Sequence, residues 1–166
     1  MKTPVYSKKA ILGIPLIFGL VLIVFGIKFV LQAQSTKNWQ QAQAIITQVN
    51  LVETTSSTST TTSKQKTTAV SVVYRYQVNG KKYQSDKYRY GEGKTIKSRL
   101  KNRTQAQQFL AHSPYQKGRE INVYYNPNNP QQAVIKTGAS FWTYIPLIFG
   151  FFITSIFAVI LWRTLR

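Results

Sequence analysis

Residues 70–83 read VSVVYRYQVNGKKY. Val70, Val72, Tyr74, Tyr76 and Val78 share one side of an extended chain, and Ser71, Val73, Arg75 and Gln77 the other. Successive side chains of a strand point to opposite faces. This period of two, in β-branched and aromatic residues, therefore predicts a strand half buried against a core. Asn79-Gly80 follows at once, and both residues accept the positive φ that a two-residue hairpin turn demands. The central region is thereby expected to be antiparallel β. The run from Lys82 to Tyr90 alternates poorly and is expected to bulge or end near Ser85-Asp86.

Working outward, Ile45, Thr47, Val49 and Leu51 alternate with Ile46, Gln48 and Asn50, a second strand. Between it and Val70 lies TTSSTSTTTSKQKTT, residues 54–68, in which 12 of 15 residues are Ser or Thr. Such a stretch buries no core and is expected to be a flexible, solvated hairpin loop rather than a glycosylated or adhesive stalk. Downstream, Gly91 to Arg103 reads as basic and irregular. Thr104 is placed to cap a short helix, Gln105 to Ala111, which turns Ala106, Phe109 and Leu110 inward. Glu120 to Tyr125 is a strand with Ile121, Val123 and Tyr125 on one face. It is expected to stop at Asn126-Pro127, since proline donates nothing to a ladder. Asn129-Pro130 continues the turn, and Gln132 to Lys136 makes a last short strand. The sum is a small antiparallel β domain of four to five strands and one short helix.

Both flanks are apolar. Ala10 to Ile27 holds 18 residues without a charge, and Phe141 to Trp162 holds 22; about 20 helical residues cross a bilayer core. Lys28 lies at the far end of the first run, where its stem reaches the headgroups. Trp142, Tyr144 and Trp162 sit where interfacial aromatics belong. The expected organisation is a tail at 1–9, a transmembrane helix at 10–31, the β domain at 32–140, a second transmembrane helix at 141–162 and a tail at 163–166. The fold class is thus an α+β membrane protein. Lys2, Lys8, Lys9, Arg163 and Arg166 put both termini in the cytoplasm, because long central loops cross regardless of charge. A cleaved signal peptide over residues 1 to about 34 is the competing reading. Each span contains IPLIFG, at Ile14–Gly19 and Ile145–Gly150. The repeat is read as the small alphabet of membrane helices or as convergent packing, since no ionisable residue marks a transport path.

Lys and Arg number 22 against four acids, Glu53, Asp86, Glu92 and Glu120. That balance attracts anions, whether nucleic acid, lipid headgroups or acidic envelope polymers. The absence of cysteine excludes thiolate nucleophiles, disulfides and Cys-based metal sites. One histidine, His112, and four scattered acids offer no catalytic constellation. The expectation is no enzyme, no cofactor and no metal, with a hydrolase built on His112 the weakest reading. Lys87, Arg89, Lys94, Lys97, Arg99, Lys101 and Arg103, interleaved with Tyr83, Tyr88 and Tyr90, form the candidate anion- or partner-binding stretch.

The pattern Gly118-x-x-Ile121-x-Val123-x-Tyr125-Asn126-Pro127-x-Asn129-Pro130-x-x-Ala133, with Trp39, Ala44-Ile45 and the Tyr76 to Tyr83 hairpin, resembles the bacterial family called domain of unknown function 3592. The resemblance covers most of residues 39 to 136 and the flanking apolar segments. It implies a membrane-anchored β domain and no particular reaction; together with the basic flanks, the expected location is a bacterial plasma membrane with the domain extracytoplasmic. The Ser/Thr loop and the basic stretch depart from the family's usual look. The expected function is a non-catalytic interaction module whose domain docks a membrane or envelope protein, or an anionic envelope polymer. Specific nucleic-acid recognition is not expected, and a homo-oligomer is compatible with these features. The alternative is an accessory subunit of a transport or channel assembly.

Overall fold

The computed structural model describes residues 8–56 and 65–165. The chain divides into two compact units, the pair of helices at its two ends and the central residues Ser35–Gly138.

The central unit begins with a single 3-10 turn at Thr36–Asn38 and contains β1 (Gln40–Ser56), β2 (Gln65–Val78), β3 (Lys81–Ser85), β4 (Thr95–Leu100), α2 (Arg103–Ala111), β5 (Glu120–Asn126) and β6 (Asn129–Val134). The strands form one antiparallel sheet in the order β3-β2-β1-β5-β6, with β4 pairing β2 beyond β3. The β2–β3 hairpin turns through Asn79 at φ 49° and Gly80 at φ 78°, the geometry that Asn-Gly favours. The inward row Val70, Val72, Tyr74, Tyr76 and Val78 is buried throughout, and from Val72 to Val78 it meets Ala44, Ile46, Ile121, Val123 and Ala133 in the core.

Several sequence expectations are corrected. The antiparallel sheet has six strands among the described residues, and one of them, β4, lies in the stretch expected to be irregular. The hairpin arm extends into the stretch expected to be loop: Thr54 pairs with Thr67, Thr55 with Lys66 and Ser56 with Gln65. Threonine is β-branched and suits a strand, so the polar run continues the ladder; residues 57–64 of the expected loop lie outside the described residues. The alternation of β1 is broken by a bulge between Ile46 and Gln48. Ala42, Ala44 and Ile46 therefore point inward before Thr47, and Val49 does so after it. The helix cap is Asn102, not Thr104: the Asn102 side chain accepts from the Gln105 amide at 2.9 Å. Asn129-Pro130 opens β6 instead of continuing the turn, which is confined to Pro127-Asn128. Pro130 is tolerated because β6 lies at the end of the strand order.

The sheet curls until its ends meet. The Ile135 and Lys136 amides donate to the Tyr88 carbonyl at 3.0 and 2.8 Å, and Arg89 bridges Lys136 in parallel. At the bulge, the Gly118 amide donates to the Ile46 carbonyl at 2.8 Å and the Ile46 amide to the Arg119 carbonyl at 3.0 Å. Gly118 sits at φ 83°, which a side chain would strain. Beyond that point, Gln48 to Ser56 of β1 pairs with β2 alone among the described residues.

The helical unit consists of α1 (Lys8–Ser35) and α3 (Phe141–Leu165), each longer than the 10–31 and 141–162 expected. At about 1.5 Å per residue both exceed the ~30 Å of a bilayer's hydrocarbon. Large apolar side chains such as Phe25, 67% exposed, and Phe152, 66% exposed, face outward. The two helices are compatible with a two-pass membrane protein. They touch through glycine. A methyl at Gly150 would come within 2.8 Å of the Ile23 nitrogen and 2.9 Å of the Gly19 carbonyl oxygen, and one at Gly26 within 2.8 Å of Leu147. Gly19 and Gly150 are the last residues of the two IPLIFG copies. The repeated hexamers thus end at one mutual contact, where small residues let the backbones approach.

Candidate functional site

The basic stretch begins where β3 ends. Its backbone is held from inside: the Tyr74 hydroxyl shares its one proton between the Lys87 carbonyl at 2.9 Å and the Ala133 carbonyl at 3.0 Å, and the Ser85 hydroxyl donates to Ala133 at 3.1 Å. The Tyr76 hydroxyl donates to the Pro130 carbonyl. Two tyrosines of β2 therefore tie the Asn-Pro corner and the first residue of the basic stretch to the same core. Burial, helped by the neighbouring Tyr83 ring, pushes the Tyr76 phenol up to about 12. Burial likewise raises Tyr74, and burial followed by contact with Tyr88 raises Tyr115. These phenols act as neutral donors and packing groups.

The interleaved aromatics belong to that packing. Tyr83 stacks on Tyr76 with centroids 5.8 Å apart, and Tyr90 meets Trp39 edge to face at 6.5 Å. None of the three tyrosines in the stretch is exposed, so the aromatic platform that a polyanion reader uses is occupied by the fold itself.

The cations divide into two groups. Arg89 is drawn in, its guanidinium 3.4 Å from Glu92 with only 14% of the side chain exposed, and Lys94 pairs with Asp86. Lys87, Lys97, Lys101 and Arg103 are exposed, with no ion pair among the described residues. The side chain of Arg99 lies outside the described residues. Lys97 stands on β4 opposite Val70, and Lys101 and Arg103 flank the Asn102 cap at the start of α2. The fold thus brings the middle of the stretch onto one edge strand and the helix start beside it.

A feature missed in the sequence is the outer face of the sheet. Gln43, Ile45, Thr47, Arg75, Gln77, Lys82 and Glu120 line an open groove of about 420 Å³. Only the strand order places them together, since Ile45 pairs with both Arg75 and Glu120. Among the described residues no cluster of three or more His, Cys, Asp or Glu side chains could hold a metal. His112 is exposed at the end of α2, its Nδ1 2.9 Å from the Gln108 carbonyl.

The family model described as domain of unknown function (DUF3592) matches residues 42–140. The chain belongs to this family. The match contains the whole curled sheet from Ala42 of β1 through β6, so the DUF3592 domain and the compact central unit nearly coincide. Of the residues Gly118, Tyr125, Asn126, Pro127, Asn129 and Pro130 in this DUF3592 chain, several make contacts within the fold. Gly118 secures the bulge, and Asn126 accepts from the Asn128 amide at 3.0 Å inside the turn. Pro130 receives the Tyr76 hydroxyl, while Tyr125 donates to Gln40. No curated protein matches the sequence.

Proposed function

We propose that the protein is a non-catalytic interaction module of a bacterial plasma membrane. Its two apolar helices cross the bilayer with both termini cytoplasmic, and the DUF3592 domain projects outside to meet a partner carrying anionic groups. The observation that carries this reading is the set of exposed, unpaired cations Lys87, Lys97, Lys101 and Arg103, left over after Arg89 and Lys94 are matched with acids. Because Tyr83 and Tyr90 are half-buried and engaged with Tyr76 and Trp39, attraction is by charge and not by stacking. It favours an anionic envelope polymer or an acidic protein face over base recognition.

Full-length protein in uncharged nanodiscs provides the test, with polyphosphate as the anionic probe. At about 1 kcal/mol for each cation near an anionic surface, changing all four to Gln should weaken binding more than roughly a hundredfold at low salt. Binding that is unchanged by the substitutions, or insensitive to salt, would sink the reading. The alternative of a transport or channel subunit draws on the glycine contact at the ends of the two hexamers. It predicts that bulky residues at Gly19 and Gly150 abolish co-purification of a membrane partner while leaving polyphosphate binding intact.

A further inference from the structure

Besides β3 and β6, whose edges carry Lys81, Lys82 and Pro130, two strand segments pair on one side only among the described residues. One belongs to β4, where Lys97 is exposed and Lys101 and Arg103 follow; cations on an edge are a common device against strand addition. The other is β1 from Gln48 to Ser56, which pairs with β2 on one side and with no strand on the other among the described residues. Ile46, just before it, is already bonded on that side by Gly118 and Arg119, so the open edge begins at the bulge. Short helix α2 touches β1, β2 and β4 together, which places it across a face of the arm and not along this edge.

The open edge of β1 lacks the usual protection. Gln48 to Ser56 reads QVNLVETTS, with no proline, no cation and a single acid, Glu53, and Val52 is 52% exposed. From Asn38 to Ser63 the sequence contains no Lys or Arg, in a chain with 22 of them. A strongly cationic chain repels its own copies nearly everywhere. The stretch 38–63, which contains all of β1, carries none of that charge.

We propose that β1 is a self-association edge, on which a second copy of this chain adds its own β1 antiparallel across a local two-fold axis. Charge selects this occupant. In each arm the order is β4-β2-β1, so the paired arms run β4-β2-β1-β1-β2-β4 and the two basic edges lie at the far ends. Five strand spacings of about 4.8 Å separate those edges by roughly 24 Å, about three Debye lengths at physiological salt. Repulsion between them is screened, while the unpaired backbone groups of both β1 edges find partners. The inference stands whether or not the basic stretch binds an anion.

The chain has no cysteine, so an introduced one is unique. Full-length single-cysteine variants Asn50→Cys, Val52→Cys and, on the opposite edge, Lys97→Cys are oxidised in membranes and resolved without reductant. A disulfide-linked band of twice the chain mass is expected from the β1 positions, strongest nearest the two-fold axis, and not from Lys97→Cys. Adding Val52→Lys to the Asn50→Cys variant should lower the yield about tenfold. Absence of the dimer band at both β1 positions overturns the proposal. So does equal crosslinking at Lys97→Cys, or a band whose mass reveals a different protein.

Discussion

At the scale of single residues, hydroxyl and glycine positions hold the domain together, and each makes a checkable demand. Tyr76→Phe keeps the ring stacked on Tyr83 but strips the Pro130 carbonyl of its donor. It should destabilise the fold by about 1–2 kcal/mol, read by urea denaturation. The phenol also sets an alkaline limit. Folded Tyr76 holds its proton to about 12, whereas an unfolded tyrosine releases it near 10. Between these values the unfolded state binds fewer protons, so stability is intact below about pH 10 and falls as pH rises toward 12. Tyr76→Phe should flatten that decline, measured by circular dichroism across the same range. Gly118→Ala meets no neighbouring atom, yet forces a side chain into φ 83° beside the bulge. A loss of about 1 kcal/mol is expected. The inward tyrosines of β2 were legible from alternation; their hydroxyl partners were not, because Pro130 lies 54 residues from Tyr76 and only the closed sheet joins them.

Among the elements, those with strong local signals were readable and those defined by a distant partner were not. Asn-Gly fixed the β2–β3 hairpin, and long uncharged runs fixed both helices. β4 escaped notice because Thr95–Leu100 has little apolar periodicity and becomes a strand by pairing with β2. The face change in β1 was hidden because a bulge adds one residue that alternation cannot announce. Of the candidate site, the cations were visible as a charge run. Which of them are spent on Glu92 and Asp86 depended on the fold. The helix pair yields the prediction for this scale. Gly150→Val would drive its side chain into the Ile23 and Gly19 backbones, while Gly13→Val meets nothing within 4 Å. The first should lower resistance to SDS unfolding by about 1–3 kcal/mol and the second should leave it unchanged.

At the scale of the whole molecule, the proposed orientation makes a demand on the two termini. Tags at both termini should be protected in intact cells and become accessible only after permeabilisation, and exposure of either end would refute the orientation with both termini cytoplasmic. The closure of the sheet bears on how this chain comes into being. Its final bonds, from Ile135 and Lys136 to Tyr88, lie just ahead of Phe141, where α3 starts. β1 likewise waits for β5, whose Glu120 pairs with Ile45 across 75 residues (120 − 45). Strands emerging early must therefore remain incomplete until almost all of the central region has been synthesised. Contacts so distant along the chain make for slow folding, during which exposed strand edges invite mispairing. The edge of β1 from Gln48 to Ser56, without lysine, arginine or proline, stands unguarded through that interval.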